Sequence, residues 1–211
     1  TIYQGDITFS DISIRAAKNA YFAFMLGGML QKVACKIRPY ETEKGRTDKI
    51  LTKAIKVLSD AFMGKRPIEK TLDEVIHQFE WIETEGAPRP KVAIFGDLYS
   101  RDNRVMNQDL IACIEAAGGE VITTPYNEYA KMIAASYFRK WFNEGKYFDF
   151  FTGKALMAAM TAMEKNCGKI LNRILDLPEQ LYDDEPAEIL ARYNISIENT
   201  GESMDNILKI H

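Results

Sequence analysis

The polar residues best suited to chemistry are concentrated between Gly96 and Gln108, where Asp97, Arg101, Asp102, Asn103, Arg104 and Asn107 follow the apolar run Lys91-Val-Ala-Ile-Phe95. These groups can hydrogen-bond a ligand, and Arg101 or Arg104 can pair with a phosphate or carboxylate through a two-bond fork. The competing reading is structural, with Asp102 or Asn103 capping a helix and the arginines forming local ion pairs. A second polar stretch, Pro125-Tyr-Asn-Glu128, follows Glu120-Val-Ile-Thr-Thr124. The signatures of phosphate-cradling loops do not follow the first apolar run: neither G-x-G-x-x-G nor G-x-x-x-x-G-K-[ST] is there. Phe151-Thr-Gly-Lys154 is no substitute, since no strand precedes it. G-x-S-x-G is missing as well, and the two histidines, His77 and terminal His211, point to no triad. A self-contained hydrolase is therefore not expected.

Three cysteines, at 35, 113 and 167, are an odd number without C-x-x-C, and two histidines are too few to complete a zinc set. Cys35 and Cys113 lie in apolar helical patterns, where cysteine acts as a small buried hydrophobe. This usage predicts reduced thiols and a cytoplasmic setting. The charge balance is 27 basic against 30 acidic residues, net −3, which lacks the basic footprint that nucleic acid requires. Between Asp176 and Asp205, nine carboxylates face only Arg192; this reads as a solvated acidic face, with an acidic docking surface as the alternative. The longest apolar run, Ala20 to Leu30, is 11 residues and too short to span a bilayer, so no membrane partner is expected. The start at Thr1 and the stop at His211 read as a piece of a longer polypeptide.

These groups need elements to position them. Helical spacing runs from Ser13 to about Lys36, weakened at Gly27-Gly28, where the glycines mark close packing, and stopped by Arg38-Pro39. A second helix spans about Thr47 to Met63 with Gly64 as its cap, and Thr71-Leu-Asp-Glu74 matches a capping box that opens a third. Glu85-Gly-Ala-Pro-Arg-Pro90 is the clearest break. Beyond it come a buried strand at Lys91–Gly96, a helix from Val105 to Ala117 and a strand at Glu120–Pro125, which together predict a right-handed βαβ unit with parallel strands. Residues 126 to 175 return to helical spacing with a break at Asn143-Glu-Gly145, and their aromatic and Met stripes read as core. A short helix follows Pro186, and Ile7–Phe9, Ile195–Ile197 and the stretch after Gly201 suggest a strand, a strand and a helix. The expected architecture is α/β: a helix-rich, Rossmann-like three-layer fragment with a short parallel sheet, divided into a helical N-terminal region (1–88) and an α/β region (89–211). Ligands in such sheets collect beyond the carboxyl ends of the strands.

The strings Arg38-Pro-Tyr-Glu41, Lys91 to Asn103, Asn107-Gln-Asp109, Gly118 to Tyr126 and Thr200-Gly-Glu-Ser-Met-Asp-Asn206 occur in that order. Together they resemble the 2-hydroxyacyl-CoA dehydratase superfamily, closest to the dehydratase-like part of the large CoA-substrate-specific enzyme activases of anaerobes, over residues 15 to 210. The resemblance implies part of an acyl-CoA or cluster-proximal pocket that other segments of a parent polypeptide complete. It places Arg38, Glu41, Asp97, Arg101, Asn103, Asn107, Tyr126, Glu128, Glu202 and Asn206 as binding candidates. The family's iron-sulfur cluster and ATP-hydrolysing module are implied only for the longer parent, with no cofactor or metal expected in this chain. A fragment of this kind is expected to be inactive alone, and an oligomer is compatible with it. The alternative is a non-catalytic interaction module within a larger multidomain protein.

Overall fold

The computed structural model describes residues 14–123, 134, 137–175, 186–196 and 207. The apolar spacing after Ser13 forms α1 (Ile14–Ile37), which runs unbroken through Gly27-Gly28. Gly27 is not a point of close packing, since a Cβ there would meet nothing within 4 Å. Pro39 holds Arg38–Tyr40 in a single 3-10 turn that ends α1. α2 (Arg46–Phe62) closes as the sequence predicts. Gly64 takes φ +83°, its N–H reaches the Ala61 carbonyl (2.9 Å), and the Lys65 N–H reaches the Asp60 carbonyl (3.1 Å).

α3 (Ile68–Glu80) corrects the expected capping box. The helix begins at Ile68, with Pro67 as the preceding residue, so Thr71 lies buried within the first turn. Its hydroxyl donates to the Pro67 carbonyl (2.7 Å), and Glu74 accepts instead from Arg66 (2.6 Å). Pro67 has a fixed φ and no N–H to leave unpaired, and Ile68 packs against the core, so the earlier start prevails over the Thr-x-x-Glu pattern.

The main core joins four helices. Phe22, Leu26, Leu30 and Val33 of α1 meet Leu58 of α2 and Leu72, Ile76 and Phe79 of α3. The fourth helix is α6 (Tyr147–Leu175), numbered after two short helices described next; it contributes Met160, Cys167 and Leu171. Thus a helix from beyond the proline break packs against α1 and α3. Tyr21 donates to Glu164 within this contact.

Strands β1 (Lys91–Ala93) and β2 (Glu120–Ile122) pair in parallel, with Val92 opposite Val121. Two short helices, α4 (Leu98–Asp102) and α5 (Leu110–Ala116), lie between them in sequence. Strand, helix and parallel strand are as read from the sequence, but two details differ. β1 is exposed along its length, with burial beginning at Ile94, because β2 is its one neighbour among the described residues. The helix expected from Val105 starts five residues later, at Leu110. Gln108 and Asp109 take φ of 54° and 55°, and successive left-handed residues cannot continue a right-handed helix. A small second core unites Cys35 of α1, Ile94 and Val121, with Ile111 and Ile114 of α5 packed against it. Gly119 is required by this fit, since a Cβ there would lie 2.7 Å from the Ile114 side chain.

A helical stretch at 137–143 turns at Gly145 (φ +74°) into α6. Of the aromatic stripe expected in the core, Tyr129 and Ile133 lie outside the described residues, Tyr137 is exposed and Trp141 is half-buried, while the Met stripe does reach the core through Met160 and Met163. Phe142, Tyr147, Phe148 and Phe151 nearby are exposed. Close packing by glycine occurs here, where a Cβ on Gly153 would lie 2.8 Å from the Phe138 ring and 2.9 Å from the Trp141 ring. α7 (Pro186–Arg192) forms where Pro186 predicted a helix. Ile195 and Ser196 are not in a strand, while Ile197, the strand suggested at Ile7–Phe9 and all but Ile207 of the final helix lie outside the described residues. Among the described residues, no helix is long and apolar enough to cross a membrane.

Candidate functional site

The loop that leaves β1 is built from its own side chains. Gly96 takes φ +123°, a conformation that would strain any residue with a Cβ, and turns the chain out of the sheet. Asp97 then caps α4, its carboxylate accepting from the Ser100 N–H (2.8 Å). One turn on, Arg101 is buried, with Nε 3.2 Å from the carboxylate of Asp102. Asn103 accepts from the N–H groups of Val105 (3.0 Å) and Met106 (3.2 Å), which makes an Asx turn. Asn107 donates to the Arg101 carbonyl (2.6 Å) and accepts from the Leu110 N–H (3.3 Å), so it ties α4 to the start of α5. Arg104 pairs with Asp109. Four of the candidates, Asp97, Arg101, Asn103 and Asn107, are therefore brought together in one ordered loop beyond the carboxyl end of a parallel strand.

Arg38 and Glu41 occupy a different place, the junction between the helical core and the sheet. Arg38 donates through Nε to Asp48 of α2 (2.9 Å) and through Nη1 to both oxygens of Glu115 of α5 (2.9 and 3.1 Å). Burial raises the Glu115 carboxyl above its ordinary range, with the Arg38 charge opposing that rise. Burial likewise opposes charge on Arg38, but Glu115 and Asp48 outweigh it and hold the guanidinium firmly protonated. Glu41 is buried and accepts from the backbone N–H groups of Gly45 and Thr47, each at 2.7 Å. Burial pushes its pKa up, yet donors from Thr47 and Gly45 and the charge of Lys44 prevail and leave it below the usual carboxylate range.

Sequence reasoning missed the rest of this junction. Tyr40 donates to Glu120 at the start of β2 (2.7 Å), and its oxygen accepts from the Arg89 N–H (3.0 Å). Arg89 donates to the carbonyls of Pro39 (2.6 Å) and Glu115 (3.3 Å) and lies over the Tyr40 ring, 5.6 Å from its centre. One signal was legible: Glu115 is the lone charge in the apolar stretch Leu110–Ala117. Tyr126, Glu128, Glu202 and Asn206 lie outside the described residues.

The three cysteines lie in three different settings. Cys35 is buried beside the sheet, Cys167 is buried in the helical core, and Cys113 is exposed on α5, which corrects its reading as a buried hydrophobe. Burial pushes both buried thiols up to about 11. Among the described residues, no group of three or more His, Cys, Asp or Glu could hold a metal ion.

A separate open cleft of about 410 Å³ lies between the start of α2 and the end of α3 and is lined by Glu43, Arg46, Lys49, Ile50, His77, Gln78 and Trp81. Its polar groups are largely engaged with each other. Arg46 and Lys49 both reach Glu43, and Trp81 donates to Nε2 of His77 (3.3 Å), which leaves the ring proton on Nδ1, facing Glu80.

No family model, curated protein or solved structure matches this chain. Its geometry must carry the functional reading.

Proposed function

We propose that this chain is a segment of an iron-sulfur 2-hydroxyacyl-CoA dehydratase-like or CoA-substrate-specific enzyme activase protein. Its α/β part is a Rossmann-like layer that supplies scaffold and one wall of an acyl-CoA or cluster-proximal pocket. One observation supports this: an ordered polar loop, with Arg101 at its centre, lies beyond the carboxyl end of a parallel strand, where open α/β sheets hold their ligands. On this reading the chain is cytoplasmic and inactive by itself. On the same reading the iron-sulfur cluster and ATP belong to other segments of the parent.

The experiment is calorimetric titration of the purified chain with free CoA and a panel of acyl-CoA thioesters, under reducing, anaerobic conditions. Saturable binding that is lost in Arg101→Ala and retained in Arg101→Lys, with both variants folded by circular dichroism, supports the pocket. Absence of heat from a folded sample counts against it and favours the second reading, a non-catalytic interaction module. In that case the loop residues are structural, as the bonds from neighbouring backbone N–H groups to the side-chain oxygens of Asp97, Asn103 and Asn107 allow.

A further inference from the structure

The cleft between the start of α2 and the end of α3 has a wall that can take up a proton. In the last turn of α3, His77 faces Glu80 through Nδ1 (3.3 Å) and accepts at Nε2 from the indole N–H of Trp81, just past the helix end (3.3 Å). The two rings meet edge to face, their centres 5.9 Å apart and their planes at 74°, and both line the cleft. With one proton on Nδ1, only the Nε2 lone pair can receive another, and that lone pair is the one Trp81 uses. Once it is protonated, two N–H groups confront each other where a donor and an acceptor stood. Trp81 is 70% exposed, so water can receive the freed indole N–H and no buried donor is orphaned.

The charges around His77 decide which group changes state. On α3 these are Asp73 and Glu74, one turn back, and Glu80; across the cleft they are Glu43, Arg46 and Lys49; from α6, Arg173 bonds both Asp73 and Glu80. Hydrogen bonding from Arg173 holds Glu80 below the usual carboxylate range, and hydrogen bonding from Arg46 does the same for Glu43. Both therefore stay charged through the interval of about pH 5 to 8 in which an ordinary imidazole changes its charge. Glu80 and the negative end of the α3 dipole favour the imidazolium, while Arg46, Lys49 and Arg173 oppose it.

We propose that His77 and Trp81 form a pH-operated wall of this cleft, in which the neutral imidazole holds the indole in place and protonation at Nε2 releases it. The proton comes from water and returns to it as pH rises, so the change is reversible and no other bond is made or broken. The device is independent of the acyl-CoA reading, because none of the residues in the loop after β1 takes part in it.

The test is nuclear magnetic resonance on the full chain labelled with nitrogen-15 in tryptophan, whose two residues give two indole N–H signals; Trp141→Phe identifies that of Trp81. The expected result is a reversible upfield shift of the Trp81 signal between about pH 8 and pH 5, as a lost hydrogen bond produces, while the Trp141 signal stays in place. His77→Gln, whose amide oxygen accepts at every pH, should abolish the shift. At about pH 8, His77→Phe should already put the signal where the unsubstituted chain brings it at about pH 5. The His77 side chain is 63% exposed, so both variants keep the fold. A Trp81 signal that stays still over this interval overturns the proposal. So does a shift that persists in His77→Gln, or a signal that His77→Phe leaves where it was.

Discussion

The helical core and the two-stranded sheet are held by different forces. Around Phe22, Leu26, Leu72, Ile76 and Phe79, four helices bury a continuous apolar mass. The sheet has a small core about Cys35, Ile94 and Val121, and its first strand is open to water. Besides that small core, which includes Cys35 of α1, polar bonds fasten the sheet to the helices: Arg38 to Glu115, Tyr40 to Glu120 and Arg89 to two carbonyls. An apolar core tolerates imprecise partners, but a clasp of charged groups requires each partner in place, because an orphaned buried charge is costly. The Arg-Pro-Tyr-Glu string thus has a structural task that its residue types alone do not announce.

This contrast can be tested by substitution. The largest effect should come from Phe79→Ala, which removes a ring 1% exposed and should cost about 4 kcal/mol in urea unfolding. Ile94→Ala in the smaller core should cost about 2 kcal/mol; equal losses from the two would remove the distinction. Arg38→Ala comes next. It leaves Glu115 half-buried without its cation, and at side-chain exposures of 18% and 10% the loss should be about 2 kcal/mol, below that of a fully dry pair. If Arg38→Ala unfolds no more easily than the unsubstituted chain, the clasp is ornamental. Asp97→Ala should cost about 1 kcal/mol, as loss of an N-cap does, read as a small fall in melting temperature.

The smallest effect is in the pH profile. The folded pKa of Glu41 is depressed, so its contribution is complete above the unfolded value of about 4.3 and fades as pH falls through the lower folded value. Glu41→Gln should flatten that acid limb of stability. An unchanged limb would assign acid unfolding to other carboxylates.

What the sequence disclosed was whatever depended on local spacing. The helix ends at Pro39 and Gly64 and the strand, helix, strand order were legible because each rests on backbone rules spanning a few residues. The capping box at Thr71 misled because Pro67, four residues earlier, offered a start whose core contacts no local pattern records. At Tyr137 the aromatic spacing misled for a related reason, since spacing identifies one face of a helix but not what covers it. Within the candidate site, the grouping of Asp97, Arg101, Asn103 and Asn107 was readable from their nearness in sequence. The role of Arg38 was not, because its partner Glu115 lies 77 residues away.

That separation orders events in time. α1, α2 and α3 are joined by short loops and pack side by side, so their contacts close quickly at small entropic cost. Arg38 and Tyr40 must wait for partners 77 and 80 residues on, and so engage late. Arg38→Ala should accordingly hasten unfolding far more than it slows refolding, which makes the junction a determinant of how long the native state lasts rather than of how fast it is reached.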